Sequence, residues 1–340
     1  MATSSLPSES AGTFYTRGLH ILGIRYGLAS NNPNLILNPE FYEPGEIQSQ
    51  ITNYSEFDFI PYTGEMDAYL TIVDVPGRTP EVHIGERDVL AIGDWGRLDR
   101  ERHDRRWTLM GNMGLFFRFA LATQERHGIY SLHASAVYRP DRHELLVIVG
   151  KSGAGKTVYL LEGILRGYQI FSTEMTFFRL TDEGVVFYRG ALLDNIRVGN
   201  FLYDYPKAAE ILGLTLPKVE DPWEAKISVD MGKVTTAEPV LVNPRLSFIF
   251  PRIESGREGA VVTNVRRPEG LVKALFESAS EKLGATFILY EEVPVLGLDT
   301  PALARARLEA MQRLVAAPKW EIVQAKNILA GSKSCMEGIE

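Results

Sequence analysis

The 340-residue sequence has a single cysteine, no excess of positive charge and no long apolar segment. One cysteine, Cys335, excludes an intramolecular disulfide framework and a zinc site built from several cysteines, which fits a reducing compartment. The net charge of −7 provides no basic field that would attract nucleic acid or anionic lipid. The most apolar window, residues 107–122, is interrupted by Asn112 and Arg118 and is too short for a membrane span.

These absences predict a cytoplasmic protein that binds neither nucleic acid nor membrane, and they leave a homo-oligomer open. The first sixteen residues have no basic segment followed by an apolar one, so they do not resemble a secretory signal. No repeat of solenoid period is visible. What is present is an ordinary globular composition, 45% hydrophobic and 23% charged, which is enough to form a sizeable core.

The pattern along the chain predicts four segments. Residues 1–12 are Ser-rich and expected to be disordered, residues 13–105 alternate like strands and predict a β-rich domain, residues 106–317 predict a mixed α/β domain, and residues 318–340 are expected to form a loosely attached tail. The predicted helices cover residues 106–127, 156–166, 205–215, 268–283 and 300–316. The predicted strands cover residues 130–138, 144–150, 168–180, 185–190, 244–253, 259–265 and 285–296.

A phosphate-binding loop is the strongest motif of the chain. The stretch LVIVGKSGAGKTVY matches G-x-x-x-x-G-K-[ST] in full, between a predicted strand and a predicted helix, as the motif requires. Glycines let backbone N–H groups turn inward, and the helix N-terminus adds partial positive charge. Lys156 is expected to reach the β- and γ-phosphates and Thr157 to bind Mg²⁺. The predicted phosphate-binding residues are Gly150, Lys151, Ser152, Gly153, Ala154, Gly155, Lys156 and Thr157.

The residues around the loop indicate which family of phosphate-loop proteins the chain resembles. The segment LHASAVYRPDRHELLVIVGKSGAGKT predicts two antiparallel strands that lead directly into the loop, followed by a helix and the strand GYQIFSTEMTFF. His133 lies in a L-H-x-[SA]-x-V strand, and Ser152 extends the loop to G-x-S-G-x-G-K-[ST]. An Arg189-Gly190 pair and a Ser255-Gly256-Arg257 turn follow. On these residues the chain resembles the catalytic domain of HPr kinase/phosphorylase, whose fold is that of phosphoenolpyruvate carboxykinase. The resemblance spans about residues 130–315.

The resemblance implies ATP and Mg²⁺ as cofactors and two consecutive acids that act as catalytic base and metal partner. Their positions hold Thr173 and Glu174, so the first acid is missing. The glutamate expected two residues before Arg189 is also missing, because Phe187 stands there. Glu174 alone must then serve as base or as metal ligand, unless another carboxylate such as Asp194 or Glu254 substitutes.

Each of these residues also has an ordinary structural interpretation. His133 can be a hydrogen-bonded core histidine, Glu174 a strand-end carboxylate, and Arg257 a surface turn arginine rather than a group aimed at developing phosphate charge. The segment FILYEEV ends in Glu291 and Glu292 and imitates the metal-binding strand of AAA-type ATPases. We interpret those two as solvated charges.

The sequence therefore predicts an ATP- and Mg²⁺-dependent kinase that phosphorylates a hydroxyl of a small molecule, peptide or protein serine. In this hypothesis Lys156 holds the γ-phosphate, and Thr157 binds Mg²⁺. Glu174 is the catalytic base or a metal ligand, and His133 and Arg257 assist. The missing acid favours an alternative, a nucleotide-binding regulatory module with weak or no transfer. A decarboxylating carboxykinase needs a metal cluster and further arginines that the sequence does not show.

Overall fold

The computed structural model describes residues 13–42, 53–102, 104–234, 236–284, 287–316 and 319–339. The predicted disorder of residues 1–12 lies outside these ranges. The described chain is a mixed α/β protein built on mixed sheets, which confirms the fold class at that level. No described helix combines the length and apolarity needed to cross a bilayer.

The first sheet is formed by the N-terminal residues, where the predicted β pattern is confirmed. Its strands run in the order β3-β1-β2-β4-β6-β5, with β2, β4 and β6 parallel and the outer pairs antiparallel. These strands are β1 (Tyr15–Ile21), β2 (Ile24–Ser30), β3 (Asp58–Ile60), β4 (Ala68–Asp74), β5 (Glu81–Ile84) and β6 (Asp88–Gly93). Helix α1 (Trp95–Glu101) follows, and helix α2 (Leu115–Arg126) packs its apolar side chains into the same core.

The second sheet carries the phosphate loop. Within the described residues it has the order β14-β11-β10-β7-β8-β15-β19-β16, with β9 also paired to β7. Its strands are β7 (Ile129–Arg139), β8 (Glu144–Val149), β9 (Gln169–Ser172), β10 (Met175–Leu180), β11 (Val185–Tyr188), β14 (Val240–Val242), β15 (Arg245–Ile253), β16 (Ala260–Asn264) and β19 (Ile322–Ala330). The predicted hairpin is confirmed: β7 and β8 are antiparallel, and β8 then pairs in parallel with β15.

Helices cover both faces of this sheet. Because side chains alternate between the faces of a strand, Leu146 and Ile148 of β8 pack against one helix pair, and Leu145 and Val147 pack against the other. The first pair is α3 (Lys156–Leu165) and α4 (Pro206–Ile211), and the second is α5 (Pro268–Ser280) and α6 (Pro301–Ala316). Two small antiparallel ribbons complete the fold, β12 (Leu193–Arg197) with β13 (Lys226–Asp230) and β17 (Phe287–Leu289) with β18 (Val293–Val295).

The single helix predicted over residues 106–127 is wrong in its first half. The regular helix begins only at Leu115, after a tight loop in which the Met113 N–H donates to the carbonyl of Arg106 at 3.0 Å. Gly114 lies so close to the carbonyl of Thr108 that a Cβ atom would collide with it. The apolar periodicity of this segment was misleading because the loop residues are buried as well as the helical ones.

Two other predictions are corrected in the C-terminal third. Residues 285–296 do not form one strand, because β17 and β18 turn back on each other at Tyr290 and Glu291, which both have positive φ angles. Glu291 and Glu292 are exposed, as expected for solvated charges. The loosely attached tail expected from residue 318 is instead strand β19, which lies between β15 and β16. Three polar residues in its middle, Gln324, Lys326 and Asn327, concealed it in the sequence, because they interrupt the apolar pattern of a buried strand.

The lone cysteine is buried, with its Sγ 3.9 Å from the hydroxyl of Tyr205. Burial raises the pKa of the Cys335 thiol to about 12, so almost no thiolate is present at neutral pH. We expect native protein at about pH 8 to react with a thiol reagent about 10³-fold more slowly than guanidinium-unfolded protein. Rapid labelling of the native chain, followed by mass spectrometry, would show that the burial is wrong.

Candidate functional site

The phosphate loop connects β8 to α3 and has the backbone that anion binding requires. Gly153 and Gly155 adopt φ angles of +83° and +105°, which side chains disfavour. Gly155 also packs against Ile253 so closely that a Cβ atom would overlap that side chain. The N–H of Ile253 donates to the carbonyl of Ala154 at 3.1 Å, so strand β15 fixes the loop from the side. The ten-residue helix α3 begins at Lys156, directly after the loop.

Lys156 turns its ammonium group back across the loop. Its Nζ donates to the carbonyl of Gly150 at 2.7 Å and lies 3.3 Å from Nε2 of His133. Burial lowers the pKa of Lys156, and the nearby Glu174 carboxylate partly opposes that effect. The ammonium group is therefore held at the mouth of the loop, where an incoming phosphate can replace the carbonyl and imidazole as its partner.

Thr157 and Asp194 form the most informative pair of the site. The Thr157 hydroxyl donates to Oδ2 of Asp194 at 3.1 Å. Burial, reinforced by the negative charge of Glu174, raises the pKa of Asp194 to about 6. A hydroxyl and a carboxylate at the start of α3 are hard oxygen donors of the kind that Mg²⁺ takes together with substrate phosphates. Of the two substitute acids considered from the sequence, the structure brings Asp194 to this position.

Thr173, which stands where the first acid was expected, explains how Asp194 reaches the loop. Its hydroxyl donates to the carbonyls of Ala191 and Leu193, at 3.0 and 2.7 Å, and its N–H donates to Ala191. These bonds fasten the segment that begins β12 against the end of β9. The residue that replaces the missing acid thus positions another acid one residue beyond Leu193.

Glu174 lies in a cluster with Lys282, His133 and Lys156. Its Oε1 accepts from Nζ of Lys282 at 2.8 Å and lies 3.8 Å from Nε2 of His133. Burial would raise the pKa of Glu174, but the attraction of Lys282, with a smaller contribution from Lys156, outweighs it and lowers the pKa. Glu174 is thus ionised and about one-third exposed, with a side-chain accessibility of 35%.

His133 is at the centre of the cluster and almost fully buried. Its Nδ1 lies 2.9 Å from Oε2 of Glu281, while Nε2 faces Lys156 and Glu174. Burial lowers the pKa of His133, and Glu281 opposes part of that shift. The imidazole is therefore neutral at physiological pH.

The remaining residues predicted for the site, Arg257, Glu254 and Arg189, make no contact with Lys156 or Thr157 that the described structure shows. Arg257 pairs with Glu254 at 2.9 Å, in a turn that follows Ile253 and the loop contact described above. Glu254, the other substitute acid, also faces Arg252 at 3.3 Å, so two guanidinium groups engage it. Arg189 does not join the loop residues: it bonds to Glu56 at 2.5 Å and to Thr236, and ties the N-terminal part of the chain to the second sheet.

Comparison with known proteins does not assign a family. No family model and no curated protein matches this chain. The likeness to HPr kinase/phosphorylase therefore remains a prediction from the residues named above. Among the described residues, no group of three or more His, Cys, Asp or Glu side chains is arranged to hold a metal ion. A metal at Thr157 and Asp194 would complete its coordination with phosphate oxygens and water.

Two residues of the cluster escaped sequence reasoning. Glu281 and Lys282 follow the end of α5 and reach His133 and Glu174 from there. In the sequence they fall at the end of the helix predicted over residues 268–283, and the side-chain period alone does not show what faces a helix end. The only indication in the sequence was that Thr173 stands where an acid was expected, so another carboxylate had to come from elsewhere.

Proposed function

We propose that this protein is an ATP- and Mg²⁺-dependent kinase that transfers the γ-phosphoryl group to a hydroxyl of a small molecule, peptide or protein serine. The observation that carries the proposal is that two carboxylates at one phosphate loop have different partners. Asp194 lies 3.1 Å from the Thr157 hydroxyl, whereas Glu174 lies next to His133 and Lys282. One carboxylate therefore suits the metal and the other the acceptor, so Glu174 need not do both.

The roles of the residues follow from these different partners. The loop N–H groups and the N-terminus of α3 bind the phosphates, and Lys156 leaves Gly150 to bind the γ-phosphate. Thr157 and Asp194 would hold Mg²⁺, which would supply positive charge next to the phosphates. The acceptor oxygen bonds to the γ-phosphorus as the bond to the ADP oxygen breaks, and Glu174 takes the hydroxyl proton. Lys282 is close enough to stabilise the charge that develops on the phosphoryl oxygens.

A nucleotide-binding module with slow or no transfer is the second candidate, and one contact favours it. The ion pair of Glu174 with Lys282 lowers the pKa of Glu174 and so makes it a weak base. If the ion pair of Lys282 with Glu174 persists when nucleotide binds, the protein binds ATP but does not transfer its γ-phosphoryl group. The two candidates differ only in what Lys282 does when the phosphates arrive.

Two substitutions test the division of roles. We expect Asp194→Asn to raise the Mg²⁺ concentration needed for half-maximal transfer about tenfold or more. We expect Glu174→Gln to lower kcat about 100-fold without changing that concentration. The measurement is transfer from γ-labelled ATP to a lysate pool of metabolites and peptides at a series of Mg²⁺ concentrations. The control variant is Lys273→Ala, which changes an exposed residue.

The possible results separate the candidates. Label transfer that survives Glu174→Gln contradicts Glu174 as the base. Tight ATP binding by the wild type without transfer to any pool favours the binding module. A wild type that does not bind ATP refutes both.

A further inference from the structure

A second cleft lies between the N-terminal sheet and the second sheet. Its volume is about 610 Å³, which is within the range of small-molecule sites. Its walls come from the turn between β5 and β6, the end of α2, the start of β7 and the first two turns of α6. The residues that line it in the described structure belong neither to the phosphate loop nor to the cluster around Glu174.

Arg126 at the end of α2 provides the positive charge of this cleft. Its Nη1 is buried and makes no hydrogen bond within the part of the chain that the structure describes. Burial lowers the pKa of Arg126, and the attraction of Glu86 and Glu125 opposes only part of that shift. A buried donor without a partner costs free energy, so a ligand oxygen that accepts a hydrogen bond from Nη1 would bind favourably there.

The two carboxylates that line the cleft differ in their partners. Glu125 accepts from Nε and Nη2 of Arg307, at 2.7 and 2.8 Å, so its charge is already compensated. Glu86, on the turn between β5 and β6, is exposed and lies with Arg126 at the boundary to an adjoining cleft of about 340 Å³, which both residues also line. A phosphate dianion would be repelled by Glu86, whereas a ligand with one negative and one positive group matches both residues.

The rest of the wall offers an apolar surface. Ile84 comes from β5, Tyr130 from β7 and Leu303 from α6, so three separate elements present hydrocarbon or ring surface to the same space. Such a wall binds an aliphatic or aromatic side chain by removing its surface from water.

We propose that this cleft is a binding site for a free α-amino acid with an apolar side chain. The ligand carboxylate accepts a hydrogen bond from Nη1 of Arg126, and the ligand ammonium group pairs with the carboxylate of Glu86. The ligand side chain lies against Ile84, Tyr130 and Leu303. The inference goes beyond the proposed kinase function and does not depend on it, because binding here involves neither nucleotide nor the phosphate loop.

Calorimetric titration of the full chain, without nucleotide, tests the site. The probes are L-leucine, L-isoleucine, L-methionine and L-phenylalanine, and we expect at least one of them to bind with a Kd below about 1 mM. For the best probe, the acid that lacks the amino group and the amine that lacks the carboxylate are each expected to bind at least about tenfold more weakly. Equal binding of either analogue would show that the cleft does not recognise an amino acid.

Variants of the two charged residues locate the binding. We expect Arg126→Gln and Glu86→Gln each to raise the Kd about tenfold or more. The matched controls are Arg305→Gln and Asp88→Asn, which change exposed residues of α6 and β6 that do not line the cleft, and their Kd values should equal that of the wild type.

Three results overturn the proposal. They are no binding of any of the four probes at about 5 mM, an unchanged Kd in either cleft variant, and losses in the control variants as large as those in the cleft variants. If Arg126→Gln does not fold, Glu86→Gln decides, because Glu86 is exposed and contributes little to packing. ATP-dependent transfer is not part of the measurement, so a failure here leaves the proposed function untouched.

Discussion

Replacing Lys156 by alanine is expected to lower kcat/KM for ATP-dependent transfer about 10³-fold. The ammonium group is the only side-chain cation that the described loop residues 150–157 turn into the loop, where it bonds to the carbonyl of Gly150. It is already desolvated there, so its attraction to a developing phosphate charge is stronger than it would be in water. The measurement is initial-rate kinetics together with ATP binding by calorimetry.

The matched control is Lys273→Ala, which removes an exposed lysine from α5 that pairs with Glu277. Its rates are expected to equal those of the wild type. Lys156→Ala should keep its melting temperature, because the ammonium group stabilises no packed core. A Lys156→Ala protein that still transfers phosphate at the wild-type rate would contradict the assignment of the loop.

Replacing Arg307 by methionine is expected to lower the free energy of unfolding by about 3–5 kcal/mol. The guanidinium is fully buried between Glu125 of α2 and Asp299 ahead of α6, with contacts of 2.7 and 2.9 Å. Burial alone would lower the pKa of Arg307, but its hydrogen bonds to both carboxylates outweigh that and raise it. Removing the arginine leaves a buried carboxylate without its partner, which is why the loss is large. Denaturant unfolding monitored by fluorescence measures it.

The loss should depend on pH in a defined direction. Burial already raises the pKa of Glu125 above its ordinary 4.5, and without Arg307 nothing opposes that shift. A carboxyl group whose pKa is raised by folding binds its proton more tightly in the folded state. The variant therefore regains stability as the pH falls through the raised pKa, and the difference from wild type is smaller at about pH 5 than at about pH 8.

The control for this prediction is an exposed ion pair of similar length. Arg245 bonds to Glu321 at 2.7 Å, but both side chains are largely solvated. Arg245→Met is expected to leave the denaturation midpoint unchanged, since water screens such pairs. Equal losses for the two variants would show that burial of Arg307 does not carry the effect.

The elements that bear the loop were predictable because their signals are local. A glycine pattern between an apolar strand and a helix identified β8, the loop and α3, and the turn residues after Tyr138 identified the hairpin. Helices α5 and α6 were also predicted, and the structure has a proline at the first position of each. In each case a few adjacent residues contain the information.

What could not be predicted depends on contacts between distant segments. The cluster around Glu174 combines residues from β7, from the segment after β9 and from the end of α5. Glu174 and Lys282, which form an ion pair, are more than a hundred residues apart in the sequence. The ribbon of β12 and β13 was missed because its strands are short and half-exposed, although it carries Asp194. Local propensity cannot report which carboxylate the chain brings to Thr157, since that is decided by the hydrogen bonds of Thr173 to a neighbouring segment.

Strand β19 has a consequence for how the sheet is assembled. It pairs in parallel with β15 and antiparallel with β16, so within the described sheet it joins two strands that end 69 and 58 residues before it begins. Until residues 322–330 arrive, β15, which also steadies the phosphate loop through Ile253, has an open hydrogen-bonding edge. Pairings this far apart along the chain close late in folding. A chain shortened before Ile322 would present two unpaired edges in the interior of its sheet, and aggregation, more than loss of catalysis, would be its first defect.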